Sequence, residues 1–156
     1  MMPLHLCTIS FRHHLTSLPE LAHWARHCGF DGIELWGVHA RHLQDQPGYG
    51  HQWIRACGLG IPMVSDYLPV EGPEAEALAH TRQMCHIASH WGARKLRTFA
   101  GRQASHNLSV PERRQLARRL RRLAICVADH GLALVVETHP GTLADTVEAT
   151  EDLMTA

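Results

Sequence analysis

Short apolar runs recur about every thirty residues in this chain, and a glycine stands just ahead of most of them. The runs are "LHLCTIS" (4–10), "GIELW" (32–36), "IPMVSDY" (61–67), "KLRTF" (95–99) and "LALVVET" (132–138). Each has strand length and favours Val, Ile and Leu. The intervals read as helices with marked ends. "SLPE" (17–20) and "SVPE" (109–112) are capping boxes: Ser caps the first turn and the Glu three residues on reaches back. Gly29, Gly58, Gly92 and Gly131 stop the helices that lead into strands two to five. "DTVE" (145–148) opens a last helix. Strands joined through helices pair in parallel by right-handed crossovers. The one long connection that reads as irregular is 37–51, polar and Gly-rich, after strand two, where a functional loop is expected.

Five such strands admit two architectures. One is a complete doubly wound sheet. The other is the first five units of an eight-stranded barrel, which normally takes about 250 residues against the 156 here. Periodicity does not separate them. The balance of 15 basic and 15 acidic residues leaves no net charge to draw nucleic acid or an anionic membrane surface. No apolar run is long enough to span a bilayer, and the N-terminus has no signal-type segment. The five cysteines are odd in number, far apart and without a C-x-x-C pair. They read as mostly buried, reduced thiols, which places the protein in the cytoplasm.

Polar residues gather where the strands end. Strand one leads to Arg12 and His13. Strand two ends with Glu34 and Trp36, followed by His39. Strand three gives Asp66 and Tyr67, strand four Arg97 and Thr98, and strand five Glu137 and His139. In both architectures the active site forms at that edge. Glu137 and His139 are two residues apart, so in a strand they share a face. A carboxylate ligates a divalent ion, and an imidazole beside it serves as an acid or base near neutral pH. The same pair also reads as a helix-capping Glu and a loop His. Other candidates are weaker. His23 with His27, and His86 with His90, have chelating spacing but no third ligand nearby in sequence. "RRQLARRLRR" (113–122) carries an apolar stripe of Leu116, Leu120, Leu123 and Val127, so its arginines are a solvated face. Lys95, the only lysine, opens its strand at the end away from the site, which argues against Schiff-base chemistry.

"LCTISFRHH", "GFDGIELWGVHA", "VSDYL", "LRTFAG" and "VVETHPGTLADT" together resemble the metal-dependent 3-dehydroshikimate dehydratases, which make protocatechuate. These belong to the xylose isomerase-like sugar phosphate isomerases/epimerases. The resemblance implies a (β/α)8 TIM barrel, of which residues 1–156 form a partial domain covering about five βα units. It implies Glu137 as a metal ligand and His139 as the catalytic acid/base. It further implies a pocket in which Arg97, Tyr67, Arg12, His13, Glu34 and His39 contact substrate. The cofactor would be Mg2+, Mn2+ or Co2+, with the remaining ligands, an Asp, a His and a second Glu, beyond residue 156. The expected partner is the small molecule 3-dehydroshikimate, with no nucleic acid or membrane. A second chain completing the barrel is a further option. On this reading the chain is an N-terminal portion, inactive by itself. The alternatives are an isomerase or epimerase of the same superfamily, and a non-catalytic fragment.

Overall fold

The capping boxes form where the sequence places them. A computed structural model describes residues 2–156. In it the Ser17 N–H and hydroxyl donate to Glu20 at 2.8 and 2.6 Å, opening α1 (Leu18–His27). Ser109 donates in the same way to Glu112 at 2.7 and 2.6 Å, opening α5 (Val110–Asp129). In each, proline follows within the first turn, where its missing N–H costs nothing. Gly92 and Gly131 end their helices at φ +74° and +73°, a region that side chains avoid.

The strands are β1 (His5–Cys7), β2 (Gly32–Trp36), β3 (Gly60–Ser65), β4 (Lys95–Phe99) and β5 (Ala133–Glu137). They follow one another in a single sheet in the order β1-β2-β3-β4-β5. The β1–β2 and β2–β3 pairs are parallel. The remaining helices are α2 (Gly37–Leu43), α3 (His51–Ala56), α4 (Glu74–His90) and α6 (Val147–Thr155). Contacts divide the chain into two compact units: residues 1–66 with 84–96, and residues 67–83 with 97–156.

In the first unit, β2 buries Ile33 and Leu35 completely while Glu34 and Trp36, on the other face, stay half-buried. Helices cover the first face, with Leu21, Ile54, Met84 and Trp91 among its fully buried side chains. Trp91 Nε1 donates to the Ala40 carbonyl at 3.2 Å, so its polar edge is satisfied inside the core. Gly32 and Gly60 face each other across β2 and β3. A Cβ on Gly32 would run into the Gly60 carbonyl oxygen. That is why "GFDGIEL" needs its second glycine.

In the second unit, α5 buries Leu116, Leu120, Leu123 and Val127 as the stripe foretold. The N-cap of α6 is Thr146, whose hydroxyl accepts the Ala149 N–H at 3.1 Å. No residue of β5 is fully buried.

Three expectations change. The segment 37–51 is not irregular throughout, because α2 occupies its first seven residues. The polar composition concealed Ala40 as a buried contact, and Gly37 admits a close approach of Asp66 that a side chain would block. Strand one is three residues long and gives way to a 3-10 turn at Thr8–Phe11. None of the five cysteines forms a disulfide, but only Cys85 and Cys126 are buried; Cys28 is exposed. Cys28 follows the last turn of α1 at its C-cap, where apolar neighbours in sequence do not mean burial.

Gly32→Ala is expected to lower stability by about 1–3 kcal/mol through overpacking against β3. Urea denaturation measures this. An unchanged midpoint would contradict the close approach of the two strands.

Candidate active site

Strand alternation sets the geometry. Arg97 and Phe99 lie two apart on β4 and share a face. Glu137 closes β5 and His139 follows two residues later. The two pairs meet rung by rung. Arg97 Nε lies 2.9 Å from Glu137 Oε2. The Phe99 and His139 rings stand edge to face with centroids 5.0 Å apart. The Arg97 guanidinium sits over the Phe99 ring at 4.9 Å. Tyr67 packs on Phe99 as well, at 5.4 Å.

The ion pair is lopsided. The Arg97 side chain is 6% exposed and that of Glu137 is 42% exposed. The cation is therefore the desolvated partner and depends on its neighbours for compensation. The carboxylate faces outward, with Oε2 on Arg97.

His139 lies past the end of β5, so the loop rather than the ladder holds it. Its N–H donates to the Ala144 carbonyl at 3.1 Å, and its own carbonyl accepts from the Thr142 hydroxyl at 2.8 Å. Its Nδ1 is 2.6 Å from the Pro140 carbonyl oxygen. A carbonyl only accepts, so Nδ1 carries the proton and Nε2 of the neutral ring keeps its lone pair. A base or acid at Nε2 is thereby oriented by its own loop.

A cavity of about 750 Å3 opens beside these groups, lined by Tyr67, Phe99, His139 and Pro140 together with Glu71 and Arg102 from the loops. Arg97 and Glu137 lie outside that lining. The wall formed by residues 68–72 is tied down: Arg119 donates to the Val70 and Gly72 carbonyls at 3.2 and 3.1 Å. The Arg102 N–H donates to Glu71 at 3.1 Å. Phe99, Glu71 and Arg102 were not singled out in the sequence. Phe99 was recoverable from the alternation in "KLRTF", since it shares the face of Arg97. The two loop residues carry no periodic signal.

The structure thus brings together Arg97, Tyr67, Glu137 and His139. The other site candidates belong to the first unit. His39 lies on α2, with Nδ1 3.1 Å from the Thr8 hydroxyl and its ring edge-on to Trp36 at 5.5 Å. Thr8 Oγ1 also accepts the Trp36 N–H at 2.9 Å. Glu34 is half-buried in β2, in register with Cys7. Arg12 and His13 are exposed, and Arg12 Nη1 folds back onto the Ile9 carbonyl at 3.2 Å. Asp66 pairs with Arg41 at 2.8 Å.

Among the described residues, no three His, Cys, Asp or Glu side chains are grouped as a metal ion requires. Glu137 alone is one carboxylate donor. Residues 2–156 therefore do not by themselves fit the divalent ion that the sequence resemblance implies.

A fold of strands linked by helices, with polar groups at a strand-end pocket, defines a class. The model of the xylose isomerase-like TIM barrel family matches residues 22–156, and the chain belongs to that family. The 3-dehydroshikimate dehydratase of Bacillus anthracis is 36% identical over 159 aligned positions, which cover 98% of this chain and 57% of that protein. The crystal structure of the probable 3-dehydroshikimate dehydratase AsbF from Bacillus anthracis, involved in petrobactin synthesis, matches with a TM-score of 0.92 at 36% identity. That match covers 99% of this chain and 58% of the other. A xylose isomerase-like TIM barrel protein from Mycobacterium smegmatis, in complex with magnesium, shares the fold at a TM-score of 0.68 and 17% identity, over 98% of this chain and 60% of its own. The chain spans less than two thirds of the length of each. The resemblance carried by the sequence motifs is borne out, and so is the expectation of five strands of a TIM barrel family in an open sheet.

Burial holds the His39 pKa below its ordinary value of 6.5, and the neighbouring charge of His42 adds to the effect. The folded state then binds fewer protons than the unfolded chain just below that pH. Its stability is expected to fall as pH drops through 6.5 toward the depressed folded value. Thermal melts across this interval should show a shallower decline for His39→Gln. Parallel curves for the two proteins would contradict the assignment.

Proposed function

We propose that this chain carries the acid/base half of a 3-dehydroshikimate dehydratase site, in which water is eliminated to give protocatechuate. The observation that carries the reading is the stacking of two pairs, Glu137 with Arg97 and His139 with Phe99, the second of which lines one pocket. The 36% identity to the Bacillus anthracis dehydratase favours this substrate class over a sugar within the family.

The substrate has a ketone, an acidic α-proton and a β-hydroxyl. Elimination requires the C–H proton to leave, the C–O bond to break and a proton to reach the departing hydroxyl. The ring then aromatises by enolisation of the ketone, which makes the loss of water downhill. His139 supplies the proton-transfer group at Nε2, held in that tautomer by the Pro140 carbonyl. Phe99 and Tyr67 give a flat apolar wall against which a six-membered ring packs. Arg97 offers a planar fork suited to the ring carboxylate, and it holds Glu137 in its outward orientation. In the same proposal Glu137 gives one oxygen to a divalent ion whose other donors residues 2–156 do not supply. When bound, that ion would supply Lewis-acid polarisation of the ketone.

A chimera tests this reading. This chain would replace the matching segment of the Bacillus anthracis dehydratase, which would be assayed with 3-dehydroshikimate and added Mn2+. Formation of protocatechuate is expected, with His139→Gln lowering kcat by about 100-fold or more and Arg97→Lys mainly raising KM. A folded chimera that makes no aromatic product would overturn the proposal. Full turnover by His139→Gln would remove the role assigned to that residue.

A further inference from the structure

A second concavity lies within the first unit, where His5, Gly60 and Lys95 open β1, β3 and β4. It has a volume of about 470 Å3 and is lined by His5, His51, Arg55, Arg94 and Lys95, with Gly60, Gly92 and Pro62 among the uncharged positions. No carboxylate lines it. The protein as a whole is neutral, with 15 basic and 15 acidic residues, so this clustering is local rather than a reflection of bulk charge. Ion pairs elsewhere include Arg41 with Asp66, Arg97 with Glu137, and Arg122 with Glu74. Among the described residues, none of the five around this concavity has a side-chain ion pair.

The two imidazoles are seated by glycines. The His51 ring lies against Gly92, in space that a Cβ there would occupy. The His5 ring lies against Gly32, where a Cβ would come within 2.9 Å of it. Both glycines therefore do more than end a helix or admit a neighbouring strand; they let a ring settle at the rim. Three fixed positive charges and two imidazole N–H donors then face one hollow.

We infer that this hollow binds a small multivalent oxyanion, a phosphorylated or polycarboxylate metabolite, at a site separate from the strand-end pocket. Like charges gathered without counter-ions repel one another, and a ligand bearing two or more negative charges relieves that repulsion. Arg94 and Arg55 supply planar forks for its oxygens, Lys95 a point charge, and the imidazoles directed N–H donors. The site requires nothing of the proposed dehydratase chemistry, so the two fail or stand separately.

The test titrates the 156-residue protein with inorganic pyrophosphate and, separately, with citrate at constant ionic strength. Amide and imidazole NMR signals are followed. Saturable shifts of His5, His51, Arg55, Arg94 and Lys95 are expected, with the pocket of Tyr67 and His139 unmoved. The two arms distinguish phosphate from carboxylate as the preferred chemistry. Arg94→Gln with Lys95→Gln should weaken binding at least 10-fold while the melting temperature stays near that of the parent. If that double variant unfolds, Arg55→Gln on an exposed helix position serves in its place with the same expectation. Absence of saturable shifts with both anions, shifts confined to the second unit, or affinity unchanged in the variants would each overturn the inference.

Discussion

The pairing of β4 with β5 is the constraint on which the candidate site depends. Alternation sends Arg97 and Phe99 to one face of β4; Glu137 at the end of β5 meets the first and His139, just beyond that strand, meets the second. A one-residue slip of β5 would turn the carboxylate away and leave a nearly buried guanidinium short of its partner. The site is thus specified by backbone register before any side chain acts. The aromatic and ionic contacts then fix rotamers: Phe99 touches Arg97, Tyr67 and His139 at once.

Precision in this arrangement comes from different sources at its two polar groups. Glu137 belongs to the strand and is placed by the sheet. His139 lies just outside it and is placed by the short loop through Thr142 and Ala144. The loop also fixes the ring tautomer through Pro140. The Pro-Gly break after His139 is therefore part of how the imidazole is presented, not only the end of a strand.

Much of this was legible in the sequence for physical reasons. Capping boxes, helix-ending glycines and the apolar stripe of α5 are local, and local signals are readable in one dimension. What could not be read were features made by residues distant in sequence. The partner of Glu137 is forty positions earlier, and nothing in either stretch names the other. Phe99 shares the face of Arg97 by alternation, but its contact with His139 forms only once β5 is laid beside it. The helix at Gly37–Leu43 was hidden because its polar surface outweighed a single buried Ala40 and a glycine chosen for the approach of Asp66. Membership in the xylose isomerase-like TIM barrel family accounts for the strand-end placement of polar groups, and the chain's own contacts account for which of them meet.

The most direct test of the account is a double-mutant cycle on Arg97 and Glu137, using Arg97→Met, Glu137→Gln and the double variant in urea denaturation. A register-defined pair with one desolvated partner predicts a coupling energy of about 1 kcal/mol. Additive effects, with coupling below about 0.3 kcal/mol, would show that the two side chains do not meet and would remove the physical basis of the site.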